Sequence, residues 1–116
     1  MSEETVPLAY TEWTLVELEG HPVESASSPA PSLALDLEES RVSGSGGVNR
    51  LTGTFALAED ELRFGQLATT RMAGPEDAMQ RERAFLAVLE RITSYELDGP
   101  ALTLLAGDEA VARLTC

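Results

Sequence analysis

The stretch SGSGGVNRLTGTF, residues 43–55, has the composition that most suggests chemistry. Glycine-rich loops bind phosphate when their backbone amides and the N-terminus of a helix face the anion. A Walker-type loop also needs a lysine, and the chain contains none. A Rossmann-type loop must lead into a helix, whereas these glycines lead into LTGTFAL, which alternates as a strand does. We therefore expect the glycines to provide a bulge, positive backbone angles or room for another segment to cross closely.

The motifs of the chain also contain a set of polar residues that could act together: Asn49, Arg50, Thr70, Arg71 and Glu82. Glu82 lies on the apolar stripe of a predicted helix, and a buried carboxylate needs a cation or several hydrogen-bond donors. We expect Arg71 or Arg50 to supply a forked partner. Two interpretations stay open: a structural ion pair and loop anchor that locks the helix to the sheet, and a small polar pocket that receives a carboxylate or a polar ligand head group, with Arg50 or Arg71 as the anion contact.

The other reactive side chains do not form a pattern typical of catalysis or metal binding. His21 precedes Pro22 in a predicted turn, and no Ser-His-Asp arrangement is indicated by the spacing. Cys116 is the only cysteine and the last residue, so no intrachain disulfide can form. The acidic clusters lack the register of an EF-hand loop, which leaves only weak calcium binding as an alternative. We expect no enzyme activity, no cofactor and no metal.

The charge and composition of the chain limit the classes of partner that it can bind. The 116 residues carry a formal charge of −12, which repels nucleic acid and anionic membrane surfaces. The first residues, MSEETVPLAY, lack the basic and apolar regions of a secretory signal, and no apolar run is long enough to cross a bilayer. We expect a cytoplasmic monomer or weak oligomer, or an envelope or secreted protein if a leader was removed.

The elements that position these residues are short strands and one helix. Apolar and other residues alternate in 13–18, 33–37, 51–57 and 62–67, and again after residue 94, with turn residues between the runs. Between about 75 and 93 the period changes to that of a helix, after Gly74-Pro75 and with acidic residues in the first turn. The pattern predicts an α+β fold: an antiparallel β-rich sheet or partly closed barrel of about seven or eight short strands, with one amphipathic helix packed on it.

The length indicates one domain with a modest core. We expect a loosely held N-terminal tail at 1–10 and a single domain at 11–116. An irregular surface connection is predicted at 24–32, where the sequence is ESASSPAPS. A barrel under a helix could also hold an apolar ligand, and the residues expected to line such a pocket are Trp13, Phe55, Phe64, Phe85 and Leu89.

The motifs VSGSGGVNRLTGTF, LRFGQLATTRMAG and ERAFLAVL, with Trp-Thr-Leu near the start, resemble the META or HslJ-like domain family over about 13–114. The resemblance implies an antiparallel β-rich fold with one packed helix, and an association with heat shock, stress response or antibiotic tolerance. No catalytic activity is implied. Where many relatives have cysteines, this chain has Val48 and Gly74. Joint loss of the two cysteines suggests that those relatives pair them, and it agrees with a reducing cytoplasm here.

Two functions are therefore expected as alternatives. The first is a non-enzymatic META/HslJ-like protein that acts in stress response or antibiotic tolerance by binding an unknown protein partner. The second is a small carrier of an apolar or amphipathic ligand, held between the sheet and the helix. A contiguous apolar cavity would favour the carrier, and a filled interior with exposed apolar surface would favour the partner-binding protein.

Overall fold

The computed structural model describes residues 8–9, 11–23 and 30–116. The elements, in chain order, are β1 Trp13–Leu18, β2 His21–Pro22, β3 Ser32–Asp36, β4 Arg41–Ser45, β5 Arg50–Ala58, β6 Glu61–Phe64, β7 Ala68–Thr69, α1 Glu76–Arg91, β8 Ser94–Asp98, β9 Ala101–Ala106 and β10 Glu109–Thr115.

Eight of the strands form a closed antiparallel barrel. Their order around the ring is β1-β3-β4-β5-β6-β8-β9-β10, and β10 pairs with β1 to close it. The two-residue strands β2 and β7 lie off the ring, against β1 and β5. The junction between β6 and β8 is the least paired, with a single opposed pair, Glu61 and Ser94. Helix α1 contacts β6, beside this junction.

The alternation of the strands fills the barrel. In β5, Leu51 and Phe55 are buried and point into the barrel. The alternating residues Arg50, Thr52 and Thr54 are exposed on the outer face. An eight-stranded barrel has an interior that side chains alone can fill. The inward residues of the strands and of the helix form one hydrophobic core.

Two β-bulges adjust the alternation where the ring closes. The register between β1 and β10 shifts between Leu15 and Glu17, and the register between β10 and β9 shifts between Ala110 and Ala112. Because a bulge inserts one extra residue in a strand, consecutive residues can be turned to the same side. Val111 and Ala112 are accordingly both buried.

Helix α1 begins after Pro75, which has an extended backbone and provides no side-chain cap. Glu76 and Asp77 occupy its first turn, where negative charge is favourable, and Arg91 ends it. Its buried face contains Ala78, Glu82, Phe85, Val88 and Leu89. Glu82 is the only charged residue of that face, and its surroundings define the candidate site.

The predicted fold is confirmed: a β-rich barrel with one helix, which spans Glu76–Arg91 against the expected 75–93. Strand β2 occupies part of a predicted turn, and β7 was not predicted, because two residues carry no periodicity. Leu8 and Ala9 are buried in the core rather than in the expected tail, and the Trp13 indole donates to the Leu8 carbonyl at 2.9 Å. The rest of the predicted tail, and residues 24–29 of the predicted connection, lie outside the described residues.

Candidate functional site

The carboxylate of Glu82 accepts hydrogen bonds from the glycine-rich loop. Helix α1 places Glu82 beneath the β4–β5 connection, where 4% of the residue is exposed. The backbone N–H groups of Val48 and Asn49 donate to Oε2, at 3.1 and 2.6 Å. The side-chain amide of Asn49 donates to Oε1 at 2.8 Å. The loop amides therefore do bind an anion, but the anion is the chain's own carboxylate.

Asn49 extends these contacts to a second loop. Its Nδ2 also donates to the Met72 carbonyl at 3.2 Å, and its Oδ1 accepts from the Met72 N–H at 2.5 Å and from the Thr70 hydroxyl at 3.0 Å. The Thr70 hydroxyl in turn accepts from the Arg50 N–H at 3.1 Å. Both donors and both lone pairs of the Asn49 amide are thereby used. We call Val48, Asn49, Thr70, Met72 and Glu82 the loop–helix network.

The glycines of the loop make this approach possible. A Cβ on Gly46 would lie 2.6 Å from Oε2 and 2.8 Å from Cδ of Glu82, so a side chain there would displace the carboxylate. Gly47 has a φ of 110°, which glycine adopts without steric cost. Of the alternative roles predicted for the glycines, space for a closely crossing segment matches Gly46, where the segment is the helix, and a positive backbone angle matches Gly47.

The predicted arginine partner of Glu82 is wrong. Within residues 8–9, 11–23 and 30–116 the ion pairs are Arg41–Glu39, Arg91–Glu19 and Arg113–Glu17, and each of these six side chains is more than a third exposed. Arg50 and Arg71 are exposed, and Arg50 joins the network only through its backbone. The physical reason is that three N–H groups already satisfy the carboxylate, so burial did not require a cation.

The aromatic residues expected to line a ligand pocket belong to the core. Trp13, Phe85 and Leu89 are fully buried, Phe55 is nearly so, and Phe64 packs against them from a half-buried position. Among the described residues, four of the clearest cavities are open to the surface, and none of these four is lined by any of these five residues. The cluster is a packed interior in this structure.

The remaining residues singled out by the sequence lie apart from the network. His21 and Cys116 are exposed at separate places. No three His, Cys, Asp or Glu side chains of the described ranges converge on a possible metal position. Across the same residues, no helix has both the length and the apolar character needed to cross a membrane.

Val48 and Gly74 are neighbours, as the expected family pattern requires. A Cβ built on Gly74 would lie 3.6 Å from the Cβ of Val48 and 3.0 Å from both of its methyl groups. Disulfides have Cβ–Cβ separations of about 3.5–4.5 Å. The two positions at which the family resemblance implies cysteines therefore have the spacing of a disulfide.

The largest of the four cavities is a surface groove of about 690 Å³ that sequence reasoning missed. It lies over four adjacent ring strands, β8, β9, β10 and β1. We call it the outer groove, and its lining residues are Val16, Glu17, Glu96, Leu97, Asp98, Ala101, Thr103, Arg113, Leu114 and Thr115. The alternation of the strands indicated which residues face outward, but no signal in the sequence predicted that β1 pairs with β10.

The comparisons with known proteins agree with the fold. A META domain family model matches residues 6–115, so the chain belongs to the META domain family. An NMR structure of a protein from Burkholderia xenovorans is 27% identical with a TM-score of 0.72, covering 99% of this chain and 94% of that one. A second NMR structure is 26% identical with a TM-score of 0.71, covering 93% and 90%.

A more distant similarity extends the fold beyond detectable family resemblance. The crystal structure of a DUF4847 family protein from Bacteroides vulgatus has a TM-score of 0.67 over 93% of each chain, at 12% identity, which shows the fold alone. No curated protein matches the chain. None of the matches indicates an enzyme family.

Proposed function

We propose that this META-domain protein is not an enzyme and acts in stress response or antibiotic tolerance by binding a protein partner. The observation that carries the proposal is the filled barrel. Trp13, Phe85 and Leu89 are fully buried in one hydrophobic core, and none of the four cavities described above is lined by them, which supports a function other than carrying a ligand in the interior. None of these four cavities supports the carrier alternative, because none is lined by the residues expected to hold the ligand. We therefore expect the partner to bind on the outer surface of the barrel.

The polar residues of the motifs support the same proposal. Every hydrogen-bonding position of the Asn49 amide is used within the network, and Glu82 is buried beneath the loop. A general acid or base must be within reach of a substrate proton, and these groups are turned inward. Their role is to hold the helix against two loops.

We place the protein in the cytoplasm. The pair Val48 and Gly74 has the spacing of a disulfide but no sulfur, which suits a reducing compartment. The stress role rests on the family resemblance and not on any side chain described above.

Native mass spectrometry on gently purified protein tests the proposal. We expect the bare mass of the chain, and we expect cross-linking before lysis to capture a protein partner whose cross-links map to exposed residues. Recombinant protein cross-linked in an unrelated lysate is the control. An additional mass of small-molecule size, lost on denaturation, would replace the partner-binding function with the carrier.

A further inference from the structure

The outer groove exists because short side chains lie between longer ones. Ala101 and Thr103 of β9 and Thr115 of β10 lie on the outward face of the sheet. Ala101 is directly opposite Thr115, and Thr103 is opposite Arg113. Opposed residues of paired antiparallel strands share a face of the sheet. These three residues therefore form the low centre of a face that spans four strands.

The walls of the groove carry apolar and acidic side chains. On one side Val16, 43% exposed, stands beside Glu17, whose carboxylate lies 3.9 Å from the Arg113 guanidinium. On the other side, Glu96 and Asp98 lie opposite Thr103 and Ala101 in the β8–β9 register. Neither of these two acids has an ion-pair partner among the described residues. The rim on the β8 side is therefore negatively charged, and Val16 provides apolar surface across from it.

The β8 rim also has an unpaired strand edge. The stretch Glu96–Asp98 pairs with β9 on one side. On the other side β6 meets β8 only where Glu61 faces Ser94, so beyond that point the described residues provide no second strand. This edge faces away from β9, whereas the outer groove lies over the outward faces of β8, β9, β10 and β1, so a segment in the groove contacts side chains of these strands and not the edge itself.

We propose that the outer groove binds an extended basic segment of the protein partner, with Lys or Arg side chains at Glu96 and Asp98 and an apolar side chain on Val16. This inference rests on the proposed partner-binding function. The formal charge of −12 would accelerate the approach of a basic partner, and the two unpaired carboxylates would fix its register.

Charge argues against the other occupants. The chain's own N-terminal residues include Glu3 and Glu4 and no basic residue, so they do not complement the rim. A second copy of the chain also carries −12 and is repelled at long range. The phosphates of a nucleic acid would meet the same two carboxylates.

The probe is a fluorescein-labelled hexapeptide of alternating Lys and Val, titrated with the full chain by fluorescence anisotropy at about 150 mM salt, where long-range attraction is screened. A Glu-Val peptide is the control ligand. We expect saturable binding of the Lys-Val peptide only. The double variant Glu96→Lys/Asp98→Lys should weaken it about tenfold or more, because two charge contacts become repulsive.

A matched variant separates a site from general attraction. Asp108→Lys/Glu109→Lys makes the same change in charge at two exposed residues, in the β9–β10 turn and at the start of β10, that do not line the groove. It should weaken binding by less than about threefold, and Val16→Ser should weaken binding without changing charge. Equal losses in the two double variants, or no saturable binding of the Lys-Val peptide, would overturn the groove proposal. The cross-linking experiment above would still decide separately whether a partner is bound elsewhere.

Discussion

The loop–helix network and the outer groove are opposites in construction. In the network, the motif residues Asn49 and Glu82 are 5% and 4% exposed and direct their polar atoms at one another and at two loops. In the groove, Glu96 and Asp98 stand in solvent without an ion-pair partner in the described ranges. The polar motif residues that most suggest a function in the sequence are buried and hydrogen-bonded within the structure. The outer groove, which we propose as the binding surface, is formed by alternating strands whose sequences contain no functional motif.

The two regions should differ most in their contribution to the free energy of unfolding. The largest loss of this free energy is expected for Glu82→Ala. Removal of the carboxylate leaves the N–H groups of Val48 and Asn49 without acceptors, at about 1–3 kcal/mol for each buried donor. We expect urea unfolding to show a loss of about 3 kcal/mol or more. Glu90→Ala, on the exposed face of the same helix, is the control and should change little.

A conservative replacement tests the cause of that loss. Glu82→Gln retains one acceptor but places an NH₂ group against either a loop N–H or the Asn49 amide, both of which are donors. Its loss should be intermediate. A loss for Glu82→Ala within experimental error would show that the network does not hold the helix, and the contrast with the groove would disappear.

The next largest effect should be a gain. The double variant Val48→Cys/Gly74→Cys should form a disulfide under mild oxidation, because the two Cβ positions are 3.6 Å apart. Gly74 does not have a positive φ, so a side chain there meets no backbone strain. A bridge that closes a loop of this length stabilises by about 3 kcal/mol relative to the reduced form.

The single variants and the reduced double variant are the controls for this bridge. Unfolding of the oxidised double variant should shift to higher urea on comparison with its reduced form, and mass spectrometry should show the loss of two hydrogens. Free thiols that persist after oxidation would mean that the two loops do not meet in solution as they do here.

The barrel could be predicted from sequence because its signals are local. Strict alternation in 51–57 and a three- and four-residue repeat from Met79 to Ile92 each report which side faces the core. Segments too short to show a period could not be predicted: β2 and β7 have two residues each. Leu8 is a single buried residue whose carbonyl accepts from the Trp13 indole, and no alternation marks it.

The site was predictable only in part, for a geometric reason. Periodicity assigned Glu82 to the apolar stripe of the helix, but it could not identify the donors that hydrogen-bond to the carboxylate. Those donors depend on the path of the loop at Gly46 and Gly47, where one glycine admits the carboxylate and the other takes a φ of 110°. The outer groove was beyond sequence reasoning because it needs β1 and β10, at opposite ends of the chain, to be neighbours.

The smallest effect on the free energy of unfolding is expected for Glu96→Lys/Asp98→Lys, the variant that is expected to weaken peptide binding strongly. Glu96→Lys/Asp98→Lys alters two exposed side chains that make no ion pair in the described part of the chain, and each replacement reduces the excess negative charge. The urea midpoint should therefore equal that of the parent protein or lie slightly above it, since self-repulsion falls. If the midpoint dropped as far as that of Glu82→Ala, the rim would be part of the fold's own support, and weaker peptide binding by this variant would report unfolding. An unchanged midpoint with lost binding would separate the two regions by function, because the network would then hold the barrel and the groove would meet the partner.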